Sequence, residues 1–306
     1  MEAIERAASV RYTDADGLAD ALRGADALFV YDFVSPAVPG AWHAADRLRW
    51  LHIASAGVDP VMFDGLRDSD VVLTNSRGVF DGPIAEYVLG VVLAFAKDFA
   101  GSLRLQDQHR WQHRETERVA GRPVLVVGTG PIGRATARLL RAAGLRVTGA
   151  GRRARDDDPD FGTVVPTEAL TEHLPGYDFV VAVAPLTGAT RHLFDARTLG
   201  AMRPGARFVN VGRGELVVTD DLIEVLRSGH LGGAALDVFE TEPLPADSPL
   251  WTMENVVLTP HMSGDIVGWR NALVEVFADN FARWVDGRPL RNVVDKRLGY
   301  VPSPVT

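Results

Sequence analysis

Three polar residues in the second half of this chain have the types and positions that chemistry at a sheet edge needs: Arg213, Glu242 and His261. His261 follows Pro260 at the end of the apolar run Asn255-Val-Val-Leu-Thr259. Arg213 stands between two glycines just after Arg207-Phe-Val-Asn-Val211. Glu242 lies in Asp237-Val-Phe-Glu-Thr-Glu-Pro243, past the run Gly233-Ala-Ala-Leu-Asp237. Flanking glycines let the backbone kink and free a guanidinium to hold a planar anion through two parallel hydrogen bonds. A carboxylate bonded to one imidazole nitrogen fixes the tautomer and favours the protonated ring, which suits a general acid near neutral pH. Taken singly, each residue has a plainer reading: a surface ion pair, a solvated carboxylate, a satisfied structural histidine. They form a candidate set only if one fold edge gathers them.

The stretch that would organise such an edge runs from Arg122 to Gly151. Val124 to Val127 is a short apolar, β-branched run suited to a buried parallel strand. Gly128, Gly130 and Gly133 follow in G-x-G-x-x-G spacing, with Pro131 and Ile132 between the last two. Arg134 to Ala143 has helical periodicity, Gly144 stops that helix, and a second strand begins at Leu145. Strand, glycines, helix and strand within about 30 residues is the context of a dinucleotide-binding turn. Gly128 would permit the tight turn, Gly130 the close approach of a pyrophosphate, and Gly133 the packing of helix on strand.

The remainder supports an α/β reading. Ala27 to Tyr31, Leu51 to Ala54 and Val71 to Thr74 read as strands of a small first unit. Two turns there, Ala54-Ser-Ala-Gly-Val-Asp59 and Asn75 to Phe80, lie at strand ends where ligands of open α/β sheets bind, although plain turn chemistry also accounts for them. Pro83 to Ala96 reads as an apolar helix crossing from the first unit into the second. Residues 98–121 read as polar and helical, and His109, Trp111 and His113 mark a solvated or subunit-contact surface rather than a metal site. Phe179 to Ala184, Arg207 to Val211, Gly233 to Asp237 and Asn255 to Thr259 alternate with helical patterns, the signature of a doubly wound parallel sheet. Thr219 to Ser228 is one such helix, with Thr219 and Asp220 as possible caps. Asp156 to Asp158 reads as a solvated loop, Trp269 to Val285 as an amphipathic helix, and Pro289 to Val294 as an extended return to the first unit.

Composition sets the outer bounds. With 306 residues, two domains are expected: 1–82 with 266–306, and 83–265. Apolar residues are 46% and charged residues 24%, with net charge −8, which argues against nucleic acid or an anionic membrane as the main partner. Val88 to Ala96 is far too short to span a bilayer, and the N-terminus shows no secretory pattern, so a cytoplasmic protein is the default expectation. The chain has no cysteine, which removes thiolate nucleophiles and cysteine metal sites.

Gly-Thr-Gly-Pro-Ile-Gly133, Asn-Val-Gly-Arg-Gly214, Asp-Val-Phe-Glu-Thr-Glu-Pro243 and Thr-Pro-His261 together resemble the D-isomer-specific 2-hydroxyacid dehydrogenase family. The similarity includes Ala-Gly-Val-Asp59 and Ile-Ala-Glu86 and runs over nearly the whole chain. It implies a Rossmann-type nucleotide domain plus a smaller, discontinuous flavodoxin-like substrate domain, with the active site in the cleft and a homodimer as the assembly. Arg213 would bind the carboxylate and carbonyl oxygen of a 2-oxo acid, His261 would donate a proton, and Glu242 would orient and charge His261. Backbone groups of Ala56 and Gly57 would hold the substrate carboxylate. The glycine turn with Pro131 and Ile132 would contact the cofactor, as would Ala184, Pro185 and Val211. Asp237 would sit near its nicotinamide, and His261 and Ser263 would also contact the cofactor. Formate as substrate is disfavoured, because formate dehydrogenases of the superfamily place Gln where Glu242 stands.

One departure discriminates between cofactors. NAD-binding members end the second strand in an acidic residue that bonds the ribose 2′-OH. Here, about 20 residues past the glycines, the chain reads Gly149-Ala-Gly-Arg152-Arg153. Two guanidiniums would bind a 2′-phosphate that a carboxylate would repel, so NADP(H) is favoured over NAD(H), as in the glyoxylate/hydroxypyruvate reductase-like branch. The plainer reading has these arginines balance Asp156 to Asp158. A second functional class, a nucleotide-sensing co-repressor-like binding protein of the same fold, would carry the same three polar residues.

Overall fold

The computed structural model describes residues 2–32 and 35–302. The chain divides into two compact units, Met1–Val79 with Ile266–Thr306, and Phe80–Asp265. In the smaller unit three strands, β1 (Ala27–Val30), β2 (Trp50–Ile53) and β3 (Val72–Asn75), form a parallel sheet in that order. Side chains alternate across it as strand geometry requires. Leu51, Ile53 and Leu73 enter one core with Val61 and Leu66, whereas Trp50 faces Phe277 on the other side. That second side is covered by the helix Trp269–Val285, whose Phe277 stacks on Phe29 with ring centroids 4.2 Å apart. Beyond that helix the chain runs alongside β3: Val293 bridges Thr74, and the Val294 N–H donates to the Leu73 carbonyl.

The larger unit holds eight strands. In chain order they are β4 (Pro123–Val127), β5 (Arg146–Gly151), β6 (Arg155–Asp158), β7 (Gly162–Pro166), β8 (Phe179–Ala182), β9 (Arg207–Asn210), β10 (Gly233–Leu236) and β11 (Val256–Leu258). Their spatial order is β11-β10-β9-β8-β4-β5-β7-β6, and every pairing except β6 with β7 is parallel. This is the mixed α/β, Rossmann-type architecture expected of the sequence. The chain leaves β4 for β5 on one side and later returns to β8 on the other, so the sheet reverses direction at β4. Crevices at such a reversal are where open α/β sheets bind ligands. The register levels the carboxyl ends, because Val127 pairs with Ala182, Ala182 with Asn210, Asn210 with Leu236, and Leu236 with Leu258.

Several local expectations are corrected. The helix Asp81–Ala96 lies wholly within the larger unit rather than crossing into it. Only Phe99–Asp107 of residues 98–121 is helical. His109 turns the chain at φ 52°, and Arg114 folds back on the Asp98 carboxylate at 2.5 Å. Neither Thr219 nor Asp220 caps the helix Thr219–Arg227; Val218 occupies that place, and the Thr219 N–H donates to Glu240 from another loop.

The acidic run Asp156 to Asp158 is not a solvated loop. It belongs to β6, where Asp156 and Asp157 are exposed as expected, but Asp158 is buried against Arg134, which grips it through both terminal nitrogens at 3.0 Å while Arg155 adds a third contact. A run of like charges read along the chain conceals a partner 24 residues upstream. Burial alone would push the Asp158 carboxyl up, but Arg134 and the N–H groups of Asp160 and Phe161 outweigh it and hold it at about 2. A depressed carboxylate stabilises the fold above its unfolded value, about 3.9, and loses that contribution as pH falls towards 2. Asp158→Asn is therefore expected to cost about 2–3 kcal/mol in urea unfolding at pH 7, with the gap closing between pH 4 and pH 2. Equal stability of variant and parent at pH 7 would contradict this account.

Candidate active site

The carboxyl edge of the large sheet is built by backbone packing from loop to loop. A β-carbon at Gly133 would overlap the Gly128 carbonyl oxygen, and one at Gly128 would stand 2.7 Å from the Ala184 nitrogen. Gly128 also takes φ 121°, which only glycine adopts readily. One loop further, a β-carbon at Gly212 would meet the Ala184 carbonyl oxygen at 3.1 Å, and one at Gly214 would overlap the Phe239 carbonyl carbon. Gly212 and Gly214 do not lie in the left-handed region. The pair is there for close approach, not for the kink anticipated around Arg213.

Gly130 differs from these. A β-carbon there would meet nothing within 4 Å. It is the N-cap of the helix Pro131–Ala142 and offers no side-chain cap. Pro131 has no N–H to place, so Ile132 and Gly133 present the first-turn donors that a helix N-terminus leaves unsatisfied. An open cradle with donors and the positive end of a helix fits a pyrophosphate. At the neighbouring strand end, Gly151 lies so near this turn that a β-carbon would be 3.0 Å from Thr129 Oγ1. Arg152 and Arg153 follow it, both exposed. Asp158, further along, pairs with Arg134 and Arg155.

The next loops carry the polar groups. Asn210, buried at the end of β9, accepts the Gly212 N–H and donates to the Arg213 carbonyl oxygen, which fixes the turn from which Arg213 emerges. Arg213 donates from Nη1 to the Gly212 carbonyl at 2.8 Å. Glu242 receives the Phe239 N–H on Oε1 and places Oε2 2.8 Å from His261 Nδ1. Burial pushes the Glu242 carboxyl up, but the His261 bond, the Phe239 N–H and the charges of His261 and Arg213 outweigh it, so it lies below the usual range. An ionised carboxylate can only accept, hence Nδ1 of His261 carries a proton and Nε2 is left for other work.

Asp237 is tied into the loop that carries His261. Its side chain is 1% exposed and is committed to the next loop: Oδ1 accepts from Thr259 Oγ1 at 2.6 Å and the Met262 N–H at 2.9 Å, and Oδ2 accepts the Ser263 N–H at 3.0 Å. Its backbone carbonyl accepts the His261 N–H at 2.8 Å. Asp237 and Ser263 thus meet each other, and Asp237 holds the loop that presents His261. Thr259 carries no local sequence signal for this role, since its partner Asp237 lies 22 residues away at the end of another strand. Ala184 and Val211 are buried at the same edge, and Pro185 is exposed beside them.

In the smaller unit, Ala56 and Gly57 lie on a loop with its own internal ties. Asn75 Nδ2 donates to the Ala56 carbonyl at 2.6 Å, Ser55 Oγ donates to that of Gly57 at 2.5 Å, and the Ser76 N–H donates to that of Ser55. The two turns singled out by sequence therefore form one bonded unit. Nearby His52, on β2, is fully buried between Thr74 and Ser76, and burial lowers it to about 4, so it is neutral at pH 7.

The contrast among the glycines can be measured. Gly214→Ala forces a β-carbon into backbone and should lower the melting temperature by more than about 5 °C. Gly130→Ala should leave the melting temperature within about 2 °C and weaken dinucleotide binding. The reverse ranking would overturn the assignment of the two glycine types.

Comparison with known proteins identifies the family. Residues 89–263 match the family model described as D-isomer specific 2-hydroxyacid dehydrogenase, NAD binding domain. A glyoxylate reductase of Thermococcus onnurineus is 31% identical over 270 residues, 85% of this chain and 80% of its own. A D-isomer specific 2-hydroxyacid dehydrogenase family protein from Aeromonas salmonicida superposes with TM-score 0.82 at 35% identity, covering 96% of this chain and 95% of that one. An NADPH-dependent glyoxylate/hydroxypyruvate reductase from Sinorhizobium meliloti, solved with NADP and sulfate, gives TM-score 0.81 at 31% identity over 98% and 95% of the two chains. The chain belongs to the D-isomer-specific 2-hydroxyacid dehydrogenase family, in its glyoxylate/hydroxypyruvate reductase branch.

Proposed function

We propose that the chain reduces a small 2-oxo acid to the D-2-hydroxy acid, with NADPH as preferred reductant and His261 as proton donor. The observation that carries this reading is the 2.8 Å Glu242–His261 pair standing on the same sheet edge as the glycine turn. Glu242 keeps the proton on Nδ1 and offsets the positive charge of the doubly protonated ring. Nε2 then donates its proton to the 2-oxo oxygen, and the neutral ring that remains still satisfies Glu242. Arg213, fixed through Asn210, pairs with the substrate's carboxylate and polarises its carbonyl oxygen. Ala56 and Gly57 keep the substrate-loop role within the same proposal.

The cofactor assignment rests on this chain's own residues. When bound, the dinucleotide supplies the hydride taken up by the 2-oxo carbon. Gly130, Ile132 and Gly133 would hold its pyrophosphate through backbone N–H groups, with Ala184, Pro185, Val211 and Ser263 along its course. Arg152 and Arg153 favour a 2′-phosphate, since no acidic side chain stands at the end of β5. The Sinorhizobium meliloti relative, solved with NADP, supports that choice. A homodimer is the assembly this reading expects.

A panel of 2-oxo acids assayed with NADPH and NADH tests the proposal. The expected result is turnover of glyoxylate or hydroxypyruvate with higher kcat/KM for NADPH. Replacing Arg152 and Arg153 together by Ala should lower kcat/KM for NADPH by about tenfold or more, with little change for NADH. A parent preference for NADH would refute the cofactor assignment.

A further inference from the structure

The loop that carries His261 is held from a second direction. Tyr87 lies on the helix Asp81–Ala96, and its hydroxyl oxygen is 2.7 Å from Thr259 Oγ1. The single Thr259 hydroxyl proton is used towards Asp237 Oδ1 at 2.6 Å, so the Tyr87 hydroxyl must donate to Thr259. A directed chain results, from Tyr87 to Thr259 to Asp237. Asp237 then receives the Met262 and Ser263 N–H groups on its carboxylate and the His261 N–H on its carbonyl. These bonds bracket His261, whose backbone takes φ 52°. Such a conformation is sparsely populated for a residue with a β-carbon and persists only when its surroundings fix it. The start of the same helix closes on the far end of the loop, where a β-carbon on Gly264 would stand 2.7 Å from the ring of Phe80, its N-cap, and 3.5 Å from Ile84.

We infer that Tyr87 is a positioning residue for His261: its hydroxyl, through Thr259 and Asp237, fixes the backbone from which the imidazole reaches Glu242. The inference rests on His261 being the acid of the proposed reaction. Tyr87 does not touch the imidazole and is no proton donor itself. Burial and the nearby Asp237 charge raise its phenol to about 12 despite the opposing Thr259 bond, so it remains a protonated donor at working pH. Hydrogen bonds in linked chains polarise one another, so loss of the outer bond weakens the inner ones. Sequence offers no hint of this role, because a tyrosine in an apolar helix reads as packing.

The test compares Tyr87→Phe, Thr259→Val and Thr259→Ser in the full chain. Tyr87→Phe should lower kcat roughly fivefold, the worth of one neutral hydrogen bond, with KM for the 2-oxo acid within about twofold. Thr259→Val should lower kcat further, and Thr259→Ser, which keeps the hydroxyl, should restore it to near the parent value. Independently of turnover, the proton NMR signal of the His261 Nδ1–H bonded to Glu242 should exchange faster with water in Tyr87→Phe. Parent-like kcat together with parent-like exchange in Tyr87→Phe overturns the inference, as does a change confined to KM. Should the parent chain reduce no 2-oxo acid, the proposed function fails, while the His261 exchange rate still decides whether Tyr87 holds the loop.

Discussion

The loops that leave β4, β8, β9 and β10 touch one another through backbone atoms, and each contact falls where a glycine stands. Gly133 lies against Gly128, Gly128 and Gly212 against residues 183–184, and Gly214 against Phe239. Backbone atoms packed at that distance leave no slack, so the position of each loop dictates the next. The glycine turn, the Arg213 turn and the segment leading to Glu242 are set by one continuous line of contacts. The remaining loop, which carries His261, is joined by polarity instead. Asp237 buries a carboxylate, which is costly unless its acceptors are filled, and it fills them with donors from residues 259, 262 and 263.

This separates two kinds of glycine that look alike in the motif. Gly128, Gly133 and Gly214 are required by the protein's own backbone, and Gly212 by the Leu216 side chain together with the Ala184 carbonyl. Gly130 is required by nothing within 4 Å of its missing β-carbon, and its place at the mouth of a helix gives the vacancy a use. The polar groups divide in a similar way. Glu242 and Arg213 shape the electrostatics around His261, whereas Asp237, Asn210 and Thr259 hold backbone in place.

Much of this was legible in the sequence, because periodicity and glycine spacing are local. The strands of both sheets, the glycine turn and the helix Trp269–Val285 follow from short stretches of chain. Glu242 with His261 was readable because each follows a strand end in a parallel sheet, and parallel ends are level. What escaped involves partners distant along the chain. Asp158 looked solvated because Arg134 lies on another element, and Thr219 looked like a cap because Glu240 could not be seen beside it. The bonds that Asp237 makes to residues 259, 262 and 263 escaped as well, because a motif gives a residue's company along the chain, not which side its carboxylate bonds.

The proposed function turns on His261, aimed by Glu242, giving up a proton in the reaction. Single-turnover reduction of a 2-oxo acid by His261→Ala, alongside dinucleotide binding by fluorescence, addresses it most directly. The account predicts a rate lowered by about 10²- to 10⁴-fold with cofactor affinity preserved, the usual contribution of a positioned acid. A rate near that of the parent chain would contradict it.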